Sequence, residues 1–243
     1  MKVRQGRAFA VLAAAFLAII VQAAAWAQGG TSQAPAAPAE DPAGHVYVSL
    51  VTEAGVITLG LDAAHAPLTT ANFLKYVDKK MLDGTTFYRA MHLDSGEGPA
   101  GLLQGGLRSD PAKVLPPVSH EPTSATGILH KAGTISMARY APGTATADFT
   151  IMISDMPGLD ARADAQDPES RAGFAAFGHV IAGMDVVRKI WDMPRSATAG
   201  EGVMKGDMLE RPVRILSVRR VAAPPAVPAP VPAASAEAEP GGH

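Results

Sequence analysis

Between residues 46 and 221 short apolar runs are cut apart by turn residues, and this punctuation restricts the fold more than any other feature of the chain. Val46, Val48 and Leu50 alternate with Tyr47 and Ser49; after the turn at Glu53-Ala54-Gly55, Ile57, Leu59 and Leu61 share one face. Period-two alternation across a tight turn predicts a β-hairpin. Similar runs predict strands at Thr85–Arg89, Thr134–Ala138, Asp148–Ser154, Ala175–Val180 and Val213–Val221. Helical spacing appears twice. Phe73, Leu74 and Val77 follow a cap at Thr69 or Thr70, and Met184, Val187 and Ile190 or Trp191 form a second stripe. Leu93–Gly101 reads as a loop, and Leu107–Thr126 as irregular chain. Many short strands with two helices predict a mainly β architecture, an antiparallel barrel or sandwich.

The ends read differently. Lys2, Arg4 and Arg7 precede an apolar run from Ala8 to Ala25, and Ala25-Trp26-Ala27 has the small-x-small form of a cleavage site. Residues 1–27 therefore read as a secretory signal peptide, which implies a periplasmic or secreted protein. The run is almost long enough to span a bilayer, so an uncleaved anchor is the alternative. Residues 28–43 and 222–243 are rich in Ala and Pro without periodicity and read as a disordered linker and tail. Residues 44–221 remain as one domain.

Charge and composition exclude several functions. Without the three leader cations the chain carries 18 Lys+Arg against 23 Asp+Glu, a net charge of −5, which argues against nucleic acid as a partner. There is no cysteine, hence no disulfide, thiolate metal site or thiol nucleophile. Neither G-x-x-x-x-G-K-[ST] nor G-x-S-x-G occurs, and the seven histidines show no ligand spacing. What stands out is Asp83-Gly84-Thr85-Thr86-Phe87-Tyr88-Arg89, followed by Gln104-Gly105-Gly106. Strict alternation puts Arg89 on the side of apolar Phe87. Either the strand bends there, or a guanidinium lies against an apolar wall.

Phe87-Tyr88-Arg89, Leu103-Gln104-Gly105-Gly106, Gly133-Thr134-Ile135-Ser136-Met137-Ala138-Arg139, Ala147-Asp148-Phe149-Thr150-Ile151 and Phe177-Gly178-His179-Val180 occur in that order. Together with Asn72-Phe73-Leu74 they resemble the cyclophilins over nearly all of residues 46–220. The resemblance implies a closed eight-stranded antiparallel β-barrel with an α-helix over each end. It implies peptidyl-prolyl cis-trans isomerase activity without a cofactor, on proline-containing polypeptide clients; a monomer is the default expectation. It also implies Arg89 as the catalytic arginine and Gln104 as the residue that orients it and binds substrate backbone. Leu102, Ala138 and Thr150 fall at the proline pocket, and backbone near Arg139 would bind the peptide as an added strand.

Departures from the family pattern modify these expectations. Thr150 stands where an aromatic usually lines the pocket; alternation puts Phe149 in the core and Thr150 at the site. Gly101 replaces another aromatic, and Phe174 stands in place of a histidine. Asp148 replaces a glutamine and adds negative charge near Arg89. Losing one aromatic contact costs on the order of 1–3 kcal/mol of binding. The expectation is a weakened isomerase, insensitive to cyclosporin because the pocket tryptophan is missing. The alternative is a peptide-binding module or chaperone with little or no turnover.

Overall fold

The structure, a computed structural model, describes residues 44–94 and 98–224. The segments read from sequence as signal peptide and linker, and the tail beyond residue 224, lie outside the described residues. Eight strands form the architecture: β1 (His45–Thr52), β2 (Gly55–Asp62), β3 (Thr86–Leu93), β4 (Ala100–Gly106), β5 (Thr134–Met137), β6 (Phe149–Met152), β7 (Ala176–Ala182) and β8 (Met208–Val221). They close into an antiparallel barrel in the order β1-β2-β7-β5-β6-β4-β3-β8. Of the two architectures left open, barrel or sandwich, the chain forms the closed one.

Alternation decides what fills it. Val46, Val48 and Leu50 from β1, and Ile57, Leu59 and Leu61 from β2, point inward and are buried. Phe149 and Ile151 do the same from β6; Phe149 meets Phe73 edge-on at 5.5 Å and Phe87 at 5.7 Å. Edge-to-face rings match the negative face of one with the positive rim of the other.

Helix α1 (Pro67–Asp78) follows the C-terminal end of β2 and buries Phe73, Leu74, Tyr76 and Val77. Its cap is not Thr69 or Thr70, which lie inside the first turn. Pro67 occupies the first helical position, and the Glu121 carboxylate accepts the Leu68 and Thr69 N–H groups at 3.1 and 2.7 Å. A cap that arrives from 52 residues away leaves no local sequence mark. Two short helices, α2 (Thr123–Thr126) and α3 (Pro168–Ala172), add to the two that were anticipated. Helix α4 (Met184–Trp191) packs Val187, Ile190 and Trp191 into the core at the opposite end of β2, where Gly55 approaches Val186.

Of the two alternatives left open at Arg89, strand β3 takes the bend. Phe87 faces Gly105 of β4, but Arg89 faces Gln104, so two residues of β3 stand against one of β4. This bulge resets the alternation: Phe87 and Ala90 point inward, while Tyr88 and Arg89 are both on the outer side. Against β8 the register jumps further, from Phe87 opposite Val213 to Arg89 opposite Met208. The displaced β8 residues bring Asp207 beside Arg89, and the Ala90 N–H donates to the Asp207 carbonyl at 2.9 Å.

Candidate active site

A lateral row crosses the outer face of the barrel. Arg89 pairs with Gln104, Gln104 with Thr150, and Thr150 with Ser136. Above this row lies a groove of about 500 Å³. Arg89, Gln104, Leu102, Ala138, Arg139, Asp148, Thr150 and Phe174 all line it. Residues far apart in sequence meet because neighbouring strands present the same face.

Arg89 sits at one edge with its side chain 12% exposed, so it does not extend into bulk solvent. Its Nε and Nη2 donate to Asp207 Oδ2 at 3.3 and 3.1 Å, Nη2 to the Val203 carbonyl at 3.3 Å, and Nη1 to Gln104 Oε1 at 3.1 Å. A guanidinium has five N–H donors. Among the described residues, these four bonds leave one Nη1–H without a partner. Arg195 shares the load, reaching Asp207 Oδ1 at 3.4 Å. Sequence reasoning missed Asp207. Its signal is a carboxylate just ahead of the last strand, which gains meaning only through the β8 register jump.

Asp148 corrects the sequence reading, because it does not touch Arg89. It is 3% exposed and accepts from the Arg108 and Ser109 N–H groups at 2.7 and 2.5 Å, from Ser109 Oγ at 2.9 Å and from the Tyr88 hydroxyl at 3.1 Å. Arg108 and Ser109 both have positive φ, 56° and 50°, which turns successive N–H groups toward one anion. Gly106 makes the approach possible. Its φ is 131°, and a Cβ there would lie 2.6 Å from Asp148 Oδ1.

The side chain of Arg139 is engaged within the protein. It is 1% exposed and stacked over the Phe174 ring at 4.4 Å, donating to Glu169 and to the Gly173 carbonyl. It ties the 169–174 segment to the end of β5.

The apolar wall is formed by Leu102, Met91, Leu159 and Phe174. Met91 and Leu159 were missed, and each is a lone apolar residue with no distinguishing local pattern. Gly101 cannot be exchanged for an aromatic: its φ is 142°, and a Cβ would lie 1.9 Å from the Met91 carbonyl oxygen. Trp191 does not line the groove; it donates to the Met91 carbonyl at 2.8 Å and stacks on His92 at 3.5 Å. Among the described residues no cluster of His, Cys, Asp or Glu could hold a metal ion. No helix among them is long and apolar enough to cross a membrane.

The chain thus forms a closed, helix-capped barrel with an arginine beside an apolar surface groove. The family model for cyclophilin type peptidyl-prolyl cis-trans isomerases matches residues 47–220, and the chain belongs to that family. It is 35% identical over 179 residues to a peptidyl-prolyl cis-trans isomerase of Acinetobacter baylyi, covering 72% of this chain and 85% of that protein. It is 30% identical over 172 residues to peptidyl-prolyl cis-trans isomerase B of Escherichia coli, covering 70% and 97%. A solved cyclophilin of Cryptosporidium parvum superposes with a TM-score of 0.57 at 18% identity, over 74% of this chain and 99% of that one.

Proposed function

We propose that this chain accelerates rotation about X–Pro bonds in polypeptide clients, with Arg89 donating to the prolyl nitrogen. The rotation barrier, about 20 kcal/mol, comes from amide resonance. A donor aimed at the nitrogen localises its lone pair and favours the twisted state, so catalysis is selective binding of the transition state. The observation that carries this reading is the guanidinium held by Asp207 and Gln104 at the edge of an apolar groove, with one Nη1–H unassigned. Leu102, Met91, Leu159 and Phe174 offer the proline ring a dry wall, and backbone beyond β5 offers an extended peptide partners.

A protease-coupled proline-isomer assay tests it. Arg89→Ala is expected to lose about a hundredfold in kcat/KM, the scale of one transition-state donor. A wild type no faster than Arg89→Ala sinks the proposal. Should a proline peptide then bind both proteins equally, the chain is a binding module without turnover.

The same reading includes an attenuated rate, because Thr150 gives a proline ring less apolar surface than an aromatic would. It also includes export and action as a monomer. The leader sequence supports export: a mature protein whose mass begins at Gln28 is the expected product, and a full-length mass would mean an anchor.

A further inference from the structure

We propose that Tyr88 and Asp148 are positioning residues that fix which way round the Gln104 amide stands, and through it the Arg89 guanidinium. This rests on the assignment of Arg89 as the donor.

The argument is one of hydrogen-bond polarity. Asp148 is a carboxylate and can only accept. It is already surrounded by donors from Arg108 and Ser109. Burial, reinforced by the Asp148 charge, pushes the Tyr88 hydroxyl far above its ordinary pKa, so it keeps its proton. That proton goes to Asp148 Oδ1 at 3.1 Å. The Tyr88 oxygen then has only lone pairs to offer, and Gln104 must present its NH2 group, which it does at 2.9 Å. The other end of the amide is Oε1, and it faces Arg89 Nη1 at 3.1 Å. Arg89 can only donate. A chain closed by an acceptor at one end and a donor at the other has one arrangement that satisfies every bond.

Gln104 is 8% exposed, so water does not readily supply a substitute partner. Without the Tyr88 hydroxyl, the Gln104 NH2 group loses its acceptor and the side chain is held at the Arg89 end alone. The reversed amide would set NH2 against a guanidinium that has nothing to accept with.

The test uses the full chain as wild type, Tyr88→Phe and Arg89→Ala. Tyr88→Phe is expected to lose roughly tenfold in kcat/KM, mostly in kcat, as one oriented hydrogen bond is lost. No loss, or a loss confined to KM, means Tyr88 does not position the amide and overturns the relay. A wild type equal to Arg89→Ala overturns the functional reading instead. Nuclear Overhauser contacts between the Tyr88 ring and the Gln104 NH2 protons in the wild type test the relay independently of activity and variant folding. Contacts with slowly exchanging amide protons support the relay, and their absence overturns it.

Discussion

Arg89 keeps a permanent charge at 12% side-chain exposure, and Asp207 is the carboxylate that compensates it. Asp207→Ala is expected to cost about 1–3 kcal/mol of stability, the scale for leaving a buried polar group unpaired. Isomerase activity should fall with it; urea midpoints and kcat/KM measure the two effects. The two positions that depart from the family's aromatic pattern behave differently. Thr150 lines the groove, so Thr150→Phe is expected to add apolar contact and lower KM. Gly101→Phe is expected to destabilise the fold by more than about 2 kcal/mol, since the backbone conformation and the Met91 carbonyl both oppose a side chain. Thermal melts of the two variants should move apart. Arg89 and Gln104 were legible in the sequence because they sit in a recognisable run with glycines. Asp207 and Tyr88 were not, because their partners are 118 and 60 residues away and nothing local marks the pairing.

At the scale of elements, caps and loops join pieces that the strand pattern leaves unconnected. Glu121 closes the N-terminus of α1 by accepting from Leu68 and Thr69. Glu121→Ala should cost about 1 kcal/mol in a urea titration, the usual loss for a cap. The segment before β5 is held by His130, whose Nδ1 meets Asp160 at 2.7 Å and whose Nε2 meets Ser136 Oγ at 2.9 Å. Burial holds the His130 imidazole below its ordinary pKa of 6.5, with Asp160 pulling the other way. The unfolded chain therefore takes up this proton at higher pH than the folded one. The stability His130 contributes is complete above about pH 6.5 and is lost as pH falls toward the folded value. Urea midpoints should drop between pH 7 and 5 in the wild type and less steeply in His130→Gln. His179 is shifted the same way by burial and by His45, so the difference between the two proteins isolates the His130 share.

For the molecule as a whole, closure depends on the last strand. β8 lies between β1 and β3, so the barrel has no seam until the C-terminal residues of the domain arrive. A chain ending at Asp207 should leave β1 and β3 with open edges and lack a dispersed amide NMR spectrum. A chain ending at Val221 should keep both the spectrum and the isomerase rate. The same strand supplies the register jump that seats Asp207 against Arg89, so closing the barrel and completing the site are one event.

Local patterning alone determined the mainly β class, the inward faces of β1, β2 and β6, and both long helices. Each follows from side-chain periodicity within a few residues, which covalent geometry fixes. Only the tertiary structure decided that Asp148 serves Tyr88 rather than Arg89, that Glu121 caps α1 and that Asp207 holds the guanidinium. Hydrogen bonds between distant segments depend on strand order and register, which arise from packing the whole barrel at once.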